Sequence, residues 1–243
     1  MFASLEHPRI TGIEHKFDVF NIAGPTDTSS REGGLRPHMS TDPNRHAPTP
    51  ILVDLTPAEF RTHLPELLSV YVSAMRYPRG TEHHRAPMWS EHADRGGWRA
   101  VAAMMPGEPS TIVGIAYGYH GHPHQWWNQQ VRTGMRHAGM SPDSIDALLR
   151  DYFELTELHV RPDAQGHRIG EALLHRLLRE RTEEAVLLST PEVAEEDNRA
   201  WRLYRRFGFR DVVRRFVFTG DARPFAVLGR ALPVDADPSE APT

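Results

Sequence analysis

The stretch YFELTELHVRPDAQGHRIGEALLHRLLRE, Tyr152 to Glu180, constrains this chain more than any other. Tyr152 to Val160 reads as a strand, and from Ile169 the apolar residues Ile169, Ala172, Leu173, Leu177 and Leu178 follow helical spacing. Only a short turn separates the two. A strand must therefore feed a helix through a loop that carries Gly166, with Gly170 at the helix start. The first N–H groups of that helix have no intrahelical partner, and the helix dipole adds partial positive charge there. Glycines remove side chains and permit positive φ, so successive N–H groups can converge on one ligand. The expected ligand is a phosphate or pyrophosphate, with His167 and Arg168 adding polar or positive side chains at the rim.

Two common phosphate loops are excluded. The chain has no GxxxxGK[ST] and no GxGxxG after the first strand of a parallel unit. It also has no Cys, which removes disulfides, zinc-thiolate sites and thiol nucleophiles, and fits a reducing interior. A net charge of −4 argues against a general nucleic-acid binder. The N-terminus lacks the apolar region of a signal peptide, and no run is long enough to span a bilayer, so a soluble, cytoplasmic protein without a membrane partner is expected.

A chain of 243 residues with 39% apolar content can fill one core. Residues 1–48, with scattered Gly, Pro, Ser and Thr, read as a mostly disordered tail with a short ordered piece near Phe17 to Ile22, and 233–243 read as a second tail. Between them, residues 49–232 alternate as an α/β domain with a mixed sheet. ILVDL (51–55) is a strand, and Thr56-Pro57 starts a helix running to about Met75. A second helix is expected near Met88 to Arg95. RAVAAMM (99–105) and TIVGIAYGYHG (111–121) form a hairpin. Residues 122–150 read as two short helices, the second started by Ser141-Pro142. After the strand 152–160 come a helix over about 169–183, a strand 185–190, a helix 198–207, and strands near 211–218 and 224–229.

The loop QGHRIG resembles the acetyl-CoA loop of the GNAT superfamily of N-acetyltransferases, Q/R-x-x-G-x-G/A. Gln165, Ile169 and Gly170 match, while Arg168 stands where the pattern has its first glycine. DNRAWRLYRRFGF (197–209) resembles the second signature of that superfamily, an Asn followed by a helix with Tyr and a closing Gly-Phe. The resemblance covers about Tyr152 to Phe209. It implies the GNAT fold, a mixed, mostly antiparallel central sheet flanked by helices, in which 122–150 is a helical insertion. It also implies acetyl-CoA as co-substrate and direct transfer of its acetyl group to an amine in a ternary complex. Backbone groups of Leu158, His159 and Val160 would then meet the pantetheine arm, Gln165, Gly166, His167, Arg168, Ile169 and Gly170 the pyrophosphate, and Asn198 the arm again. Tyr204 would protonate the departing thiolate.

The residues admit other readings beside this one. Acetyl transfer needs a neutral amine, so a base must remove a proton. The resemblance implies a carboxylate on the strand, Glu157 ahead of Glu154. Simple alternation puts those two on opposite faces unless a bulge intervenes; each is also an ordinary solvated residue or Arg partner. Tyr204 lies on the apolar stripe Ala200, Leu203, Tyr204, Phe207 and is equally a core tyrosine. Asn198 is equally a helix cap, with Asp197. Seven arginines, Arg199, Arg202, Arg205, Arg206, Arg210, Arg214 and Arg215, surround this helix, of which one or two are expected to meet a phosphate of CoA. The histidines at 120, 122 and 124 lack a metal-site pattern, and no metal is expected. Tyr117, Tyr119, Trp126, Trp127, Trp89 and Trp98 are either walls of an acceptor pocket or core. The acceptor is a small molecule or a peptide. A non-catalytic acyl-CoA-binding or regulatory module of the same fold stays open, as does a homodimer.

Overall fold

The computed structural model describes residues 49–107 and 110–234. The two expected tails fall almost wholly outside the described residues.

Seven strands form one sheet in the order β1-β2-β3-β4-β5-β7-β6. β1 (Ile51–Leu55), β2 (Arg99–Met105) and β3 (Thr111–His120) pair antiparallel, as the alternation of apolar residues and the turn between the last two require. β4 (Tyr152–Val160) is antiparallel to β3 and parallel to β5 (Ala185–Pro191); β7 (Pro224–Ala231) lies between β5 and the edge strand β6 (Arg210–Val217), antiparallel to both.

The Thr56-Pro57 signal is a complete capping box: Thr56 Oγ1 accepts from Glu59 N, and the Glu59 carboxylate accepts from Thr56 N at 2.8 Å. The helix it starts does not run to Met75 unbroken. α1 (Pro57–Thr62) stops at His63, and α2 (Leu64–Met75) starts anew. Pro65 explains the break, since it has no N–H and its ring clashes with the carbonyl four residues back. α3 (Thr81–His92) begins earlier than expected and tolerates Pro87 inside it. α4 (Trp126–His137) and α5 (Pro142–Leu148) occupy the stretch 122–150, with Ser141 Oγ capping Ser144 N. α6 (Ile169–Leu178) ends short of 183, because Arg179 is extended and Glu180 has φ 63°. α7 (Arg199–Arg206) completes the set.

α6 and α7 cover one face of the sheet. Leu173, Leu174, Leu177 and Leu178 of α6 are fully buried against Val101, Phe153, Leu155 and Val186, and each such leucine contributes roughly 2 kcal/mol of apolar burial. The opposite face is shared. α1 to α3 cover β1 to β3 through Phe60, Leu67, Leu68 and Trp89. α4 and α5 cover β4, β5, β6 and β7 through Trp127, Val131, Met135 and Ile145. Among the described residues no helix is long and apolar enough to cross a membrane.

Candidate functional site

Two departures from regular pairing in β4 build the site. The first is a β-bulge. Tyr117 pairs with Glu157 but Gly118 pairs with Leu155, so Thr156 is an extra residue on β4. The bulge reverses the alternation beyond it. Glu154 and Glu157 therefore share one face, opposite Tyr119 and Tyr117 respectively, where simple alternation would have separated them. Gly118 makes the bulge possible: a Cβ there would lie 2.6 Å from the Phe153 ring and closer still to the Glu154 carbonyl.

The second departure is a splay. β4 and β5 pair only over Tyr152–Glu154 and Ala185–Leu187. Beyond that point each keeps its other neighbour and the two strands diverge, so the edge groups of β4 that β5 no longer takes are offered to a ligand. The gap is lined by Thr156 to Val160 on one lip, by Ser189 to Pro191 on the other, and by Asn198 and Tyr204 of α7. It is continuous with a second hollow between the α6 loop and α7, with which it shares Leu158, Val160, Gln165 and Tyr204. The hollows enclose about 510 and 410 Å³, in the range of small-ligand sites.

The two glutamates differ sharply. Glu154 is fully buried and accepts a hydrogen bond from Tyr119 Oη at 3.2 Å, and it lines neither hollow. Glu157 lines the gap, and its Oε2 lies 2.6 Å from His159 Nε2. Its charge reaches three tyrosines. Burial pushes the phenols of Tyr71, Tyr117 and Tyr204 up, and the Glu157 carboxylate pushes each further. Tyr204, which lines both hollows, thus holds its phenol proton more tightly than an ordinary tyrosine. Leu158 and Val160 pack toward the α6 and α7 side. The His159 side chain instead joins Glu157, with its ring edge-on to Tyr71 at 5.0 Å.

The turn before α6 is built as its sequence demands. Gln165 Nε2 donates to Val160 O at 2.9 Å and ties the loop to the strand end, while Gln165 Oε1 faces Arg199 at 3.4 Å. Gly166 has φ 93° and Arg168 φ 58°. The position where the resembled pattern carries glycine is therefore left-handed, which costs an arginine about 1–2 kcal/mol. The Arg168 side chain points outward, 80% exposed, and pairs with Glu171, which also meets Arg206 at 3.4 Å. The Arg168 guanidinium holds the Glu171 carboxyl below the usual carboxylate range. His167 is the outlier of the loop. It lines a different hollow, beside Thr111, Val113 and Arg161, and neither of the two joined ones.

Asn198 caps α7 by accepting from Trp201 N at 2.8 Å, which leaves its amide NH₂ as a donor beside the gap. Asp197 does not share the cap; it pairs with Arg202. The arginine cluster divides in three, with Arg210 and Arg215 lining neither hollow. Arg205 and Arg214 are held by Glu192, Glu196 and Asp211, with both guanidinium groups about 5 Å from the Trp201 ring. Arg199, Arg202 and Arg206 line the α6–α7 hollow.

Of the aromatic residues read as either pocket walls or core, Trp89, Tyr117, Tyr119 and Trp127 are core: they are buried and line neither hollow. The walls of the gap beyond Glu157 are Tyr71, Met75 and Tyr77 from α2 and the loop after it, with Arg223 and Phe225 at the start of β7. None of these was singled out from the sequence. Asp221, almost fully buried, grips Arg223 with both oxygens, and Arg223 Nη1 reaches Tyr77 Oη at 3.4 Å. Among the described residues there is no group of three or more His, Asp or Glu placed to hold a metal ion.

Comparison with known proteins identifies the family. The model of the acetyltransferase (GNAT) domain matches residues 127–211. A GCN5-like protein acetyltransferase, Rv2170, from Mycobacterium tuberculosis is 52% identical over 202 residues, spanning 75% of this chain and 98% of that one. Among solved structures, a GNAT-family protein from Desulfovibrio desulfuricans superposes with a TM-score of 0.52 at 14% identity, over 75% of this chain and 98% of its own. A ribosomal-protein-alanine N-acetyltransferase from Brucella melitensis superposes with a TM-score of 0.50 at 20% identity, over 75% and 99%. The 52% identity over 75% of this chain, with the match to the acetyltransferase domain, carries one conclusion: the chain belongs to the GNAT family of acetyltransferases and is an acyltransferase.

Proposed function

We propose that this protein transfers the acetyl group of acetyl-CoA directly to an amine carried by a protein or peptide. The observation that supports it best is the splay of β4 from β5, which sets Glu157 and Tyr204 on one continuous cleft. In this reading the loop Gln165 to Gly170 and the start of α6 hold the pyrophosphate, with Arg199, Arg202 and Arg206 available for the remaining phosphate. The edge of β4 over Leu158 to Val160 that β5 leaves meets the pantetheine arm and, with it, the thioester carbonyl, where a backbone donor stabilises the developing oxyanion. The Asn198 amide completes the arm's contacts.

Glu157 is the base. It takes a proton from the acceptor ammonium, directly or through water, and the neutral nitrogen attacks the thioester. Glu154, buried and held by Tyr119, does not reach the cleft and serves the sheet instead. Tyr204 keeps its proton through burial and gives it to the sulfur as the carbon–sulfur bond breaks, and the second proton the nitrogen sheds on becoming an amide restores the phenol. A protein acceptor is favoured because the relative at 52% identity is named a protein acetyltransferase. The test is incubation with acetyl-CoA and a library of peptides bearing lysines or free N-termini. Acetylated peptides found by mass spectrometry with the wild type, and absent with Glu157→Gln, support the reading; a wild type that leaves every peptide unmodified refutes the protein acceptor.

A further inference from the structure

Glu157 has two carboxylate oxygens, and the structure engages one of them. Oε2 lies 2.6 Å from His159 Nε2. With Glu157 ionised, as its role as base requires, the proton of this contact sits on Nε2, because a bare nitrogen would set its lone pair against those of the carboxylate. The two residues stand two apart on the same face of β4, with side chains 12% and 11% exposed, so water competes little for the bond. The surroundings hold the pair in place. Tyr71 of α2 meets the imidazole edge-on at 5.0 Å, Tyr117 of β3 is the register partner of Glu157, and Tyr204 of α7 feels its charge from across the cleft. Arg85 of α3 lies 5.8 Å from the Tyr71 ring and acts on both Tyr71 and Tyr117, Arg95 acts on Tyr117, and Arg223 lines the same gap.

We propose that His159 is a positioning residue for the reaction: its Nε2–H fixes Oε2 of Glu157 so that Oε1 alone is presented to the acceptor nitrogen. The inference rests on Glu157 being the base. A carboxylate on a flexible glutamate otherwise turns among rotamers, and loss of alignment at the reacting atoms is enough to cost a large part of the rate. The role of the imidazole is thus a matter of its hydrogen bond, separable from its packing against Tyr71.

The test compares His159→Leu with His159→Gln, using acetyl-CoA and the best peptide acceptor from the library. Leucine keeps the packing and removes the donor; glutamine offers an amide N–H close to the place of Nε2. His159→Leu is expected to lower kcat about tenfold or more, with KM for acetyl-CoA within about twofold, and His159→Gln to recover most of the loss. In a Glu157→Gln background, His159→Leu is expected to have no further effect, since the group it positions is gone. Should the leucine variant not fold, His159→Asn, whose amide is too short to reach Oε2, replaces it with the same expected loss. A His159→Leu enzyme with wild-type kcat, or a His159→Gln enzyme as slow as His159→Leu, overturns the proposal. Wild-type kcat in Glu157→Gln alone overturns the base assignment instead, which keeps the two failures apart.

Discussion

The two ends of the cleft are built in opposite ways. The α6–α7 end is local: strand, loop and helix follow one another from Tyr152 to Leu178, and the second helix adds its arginines from Arg199 on. Its instruments are backbone N–H groups and left-handed residues, and Gln165 ties the loop to the strand that precedes it. The Glu157 end is assembled from remote parts. Tyr71 and Tyr77 come from α2 and the loop after it, Arg223 and Phe225 from β7, and the Tyr77–Arg223 contact spans 146 residues. A local phosphate loop can serve many acceptors, whereas a wall assembled from distant elements can change without disturbing the loop. In the proposed reading, cofactor binding thus lies at the first end, and proton removal with the choice of acceptor at the second.

The largest expected effect separates the ends by function. Glu157→Gln should lower kcat by roughly 10²–10⁴-fold and leave acetyl-CoA affinity unchanged, as read by calorimetry beside steady-state rates. Gly118→Ala tests the frame common to both ends. Its added Cβ collides with Phe153 and with the β4 backbone, and the bulge should yield at about 3 kcal/mol, near the upper end for overpacking, visible as a lower denaturant midpoint. Gly170→Asp addresses the loop alone. A Cβ at Gly170 has ordinary contacts, 3.4 Å from Leu203 Cδ2, so the fold should persist while a carboxylate against the pyrophosphate weakens acetyl-CoA binding by about 10–100-fold, or 1.5–3 kcal/mol.

Two smaller effects sharpen the contrast. Arg168→Gly should raise stability by about 1 kcal/mol, the left-handed strain relieved less the entropy gained by the unfolded chain, measured by chemical denaturation. Arg214→Ala should cost at most ~1 kcal/mol near neutral pH, since its guanidinium is partly exposed. Arg214 holds the Glu192 carboxyl, and Arg205 that of Glu196, below the ordinary carboxylate value. A carboxyl with a lowered folded-state pKa stabilises the fold above its unfolded pKa of about 4.3, and that stability fades as pH falls through the folded value. The difference between wild type and Arg214→Ala should therefore be full at pH 6 and shrink below about pH 4.

The legibility of the molecule follows the same division. Elements with local signals were readable: the Thr56 capping box, the β2–β3 hairpin, the Ser141 cap and the α6 loop each carry their cause within a few residues. Where two local signals competed, the weaker reading failed. Pro65 splits the first helix, although the amphipathic pattern runs on through it. The bulge at Thr156 had its signal in Gly118, a lone glycine inside an apolar strand, but that glycine lies on the partner strand and marks nothing without the register. The same bulge decides the face of Glu157 relative to Glu154. Tyr71, Tyr77 and Arg223 had no local mark at all. They look like a helix residue, a loop residue and a surface arginine until the sheet brings them to one wall.

The central claim is that one cleft binds acetyl-CoA and that Glu157 then removes the acceptor's proton. The most direct measurement takes wild type and Glu157→Gln side by side: calorimetric titration with acetyl-CoA, then mass spectrometry of the peptide library after incubation with it. The expected result is equal acetyl-CoA affinity in both, with acetylated peptides from the wild type alone. Wild-type protein that does not bind acetyl-CoA, or a Glu157→Gln enzyme that acetylates as fast as wild type, would contradict the account.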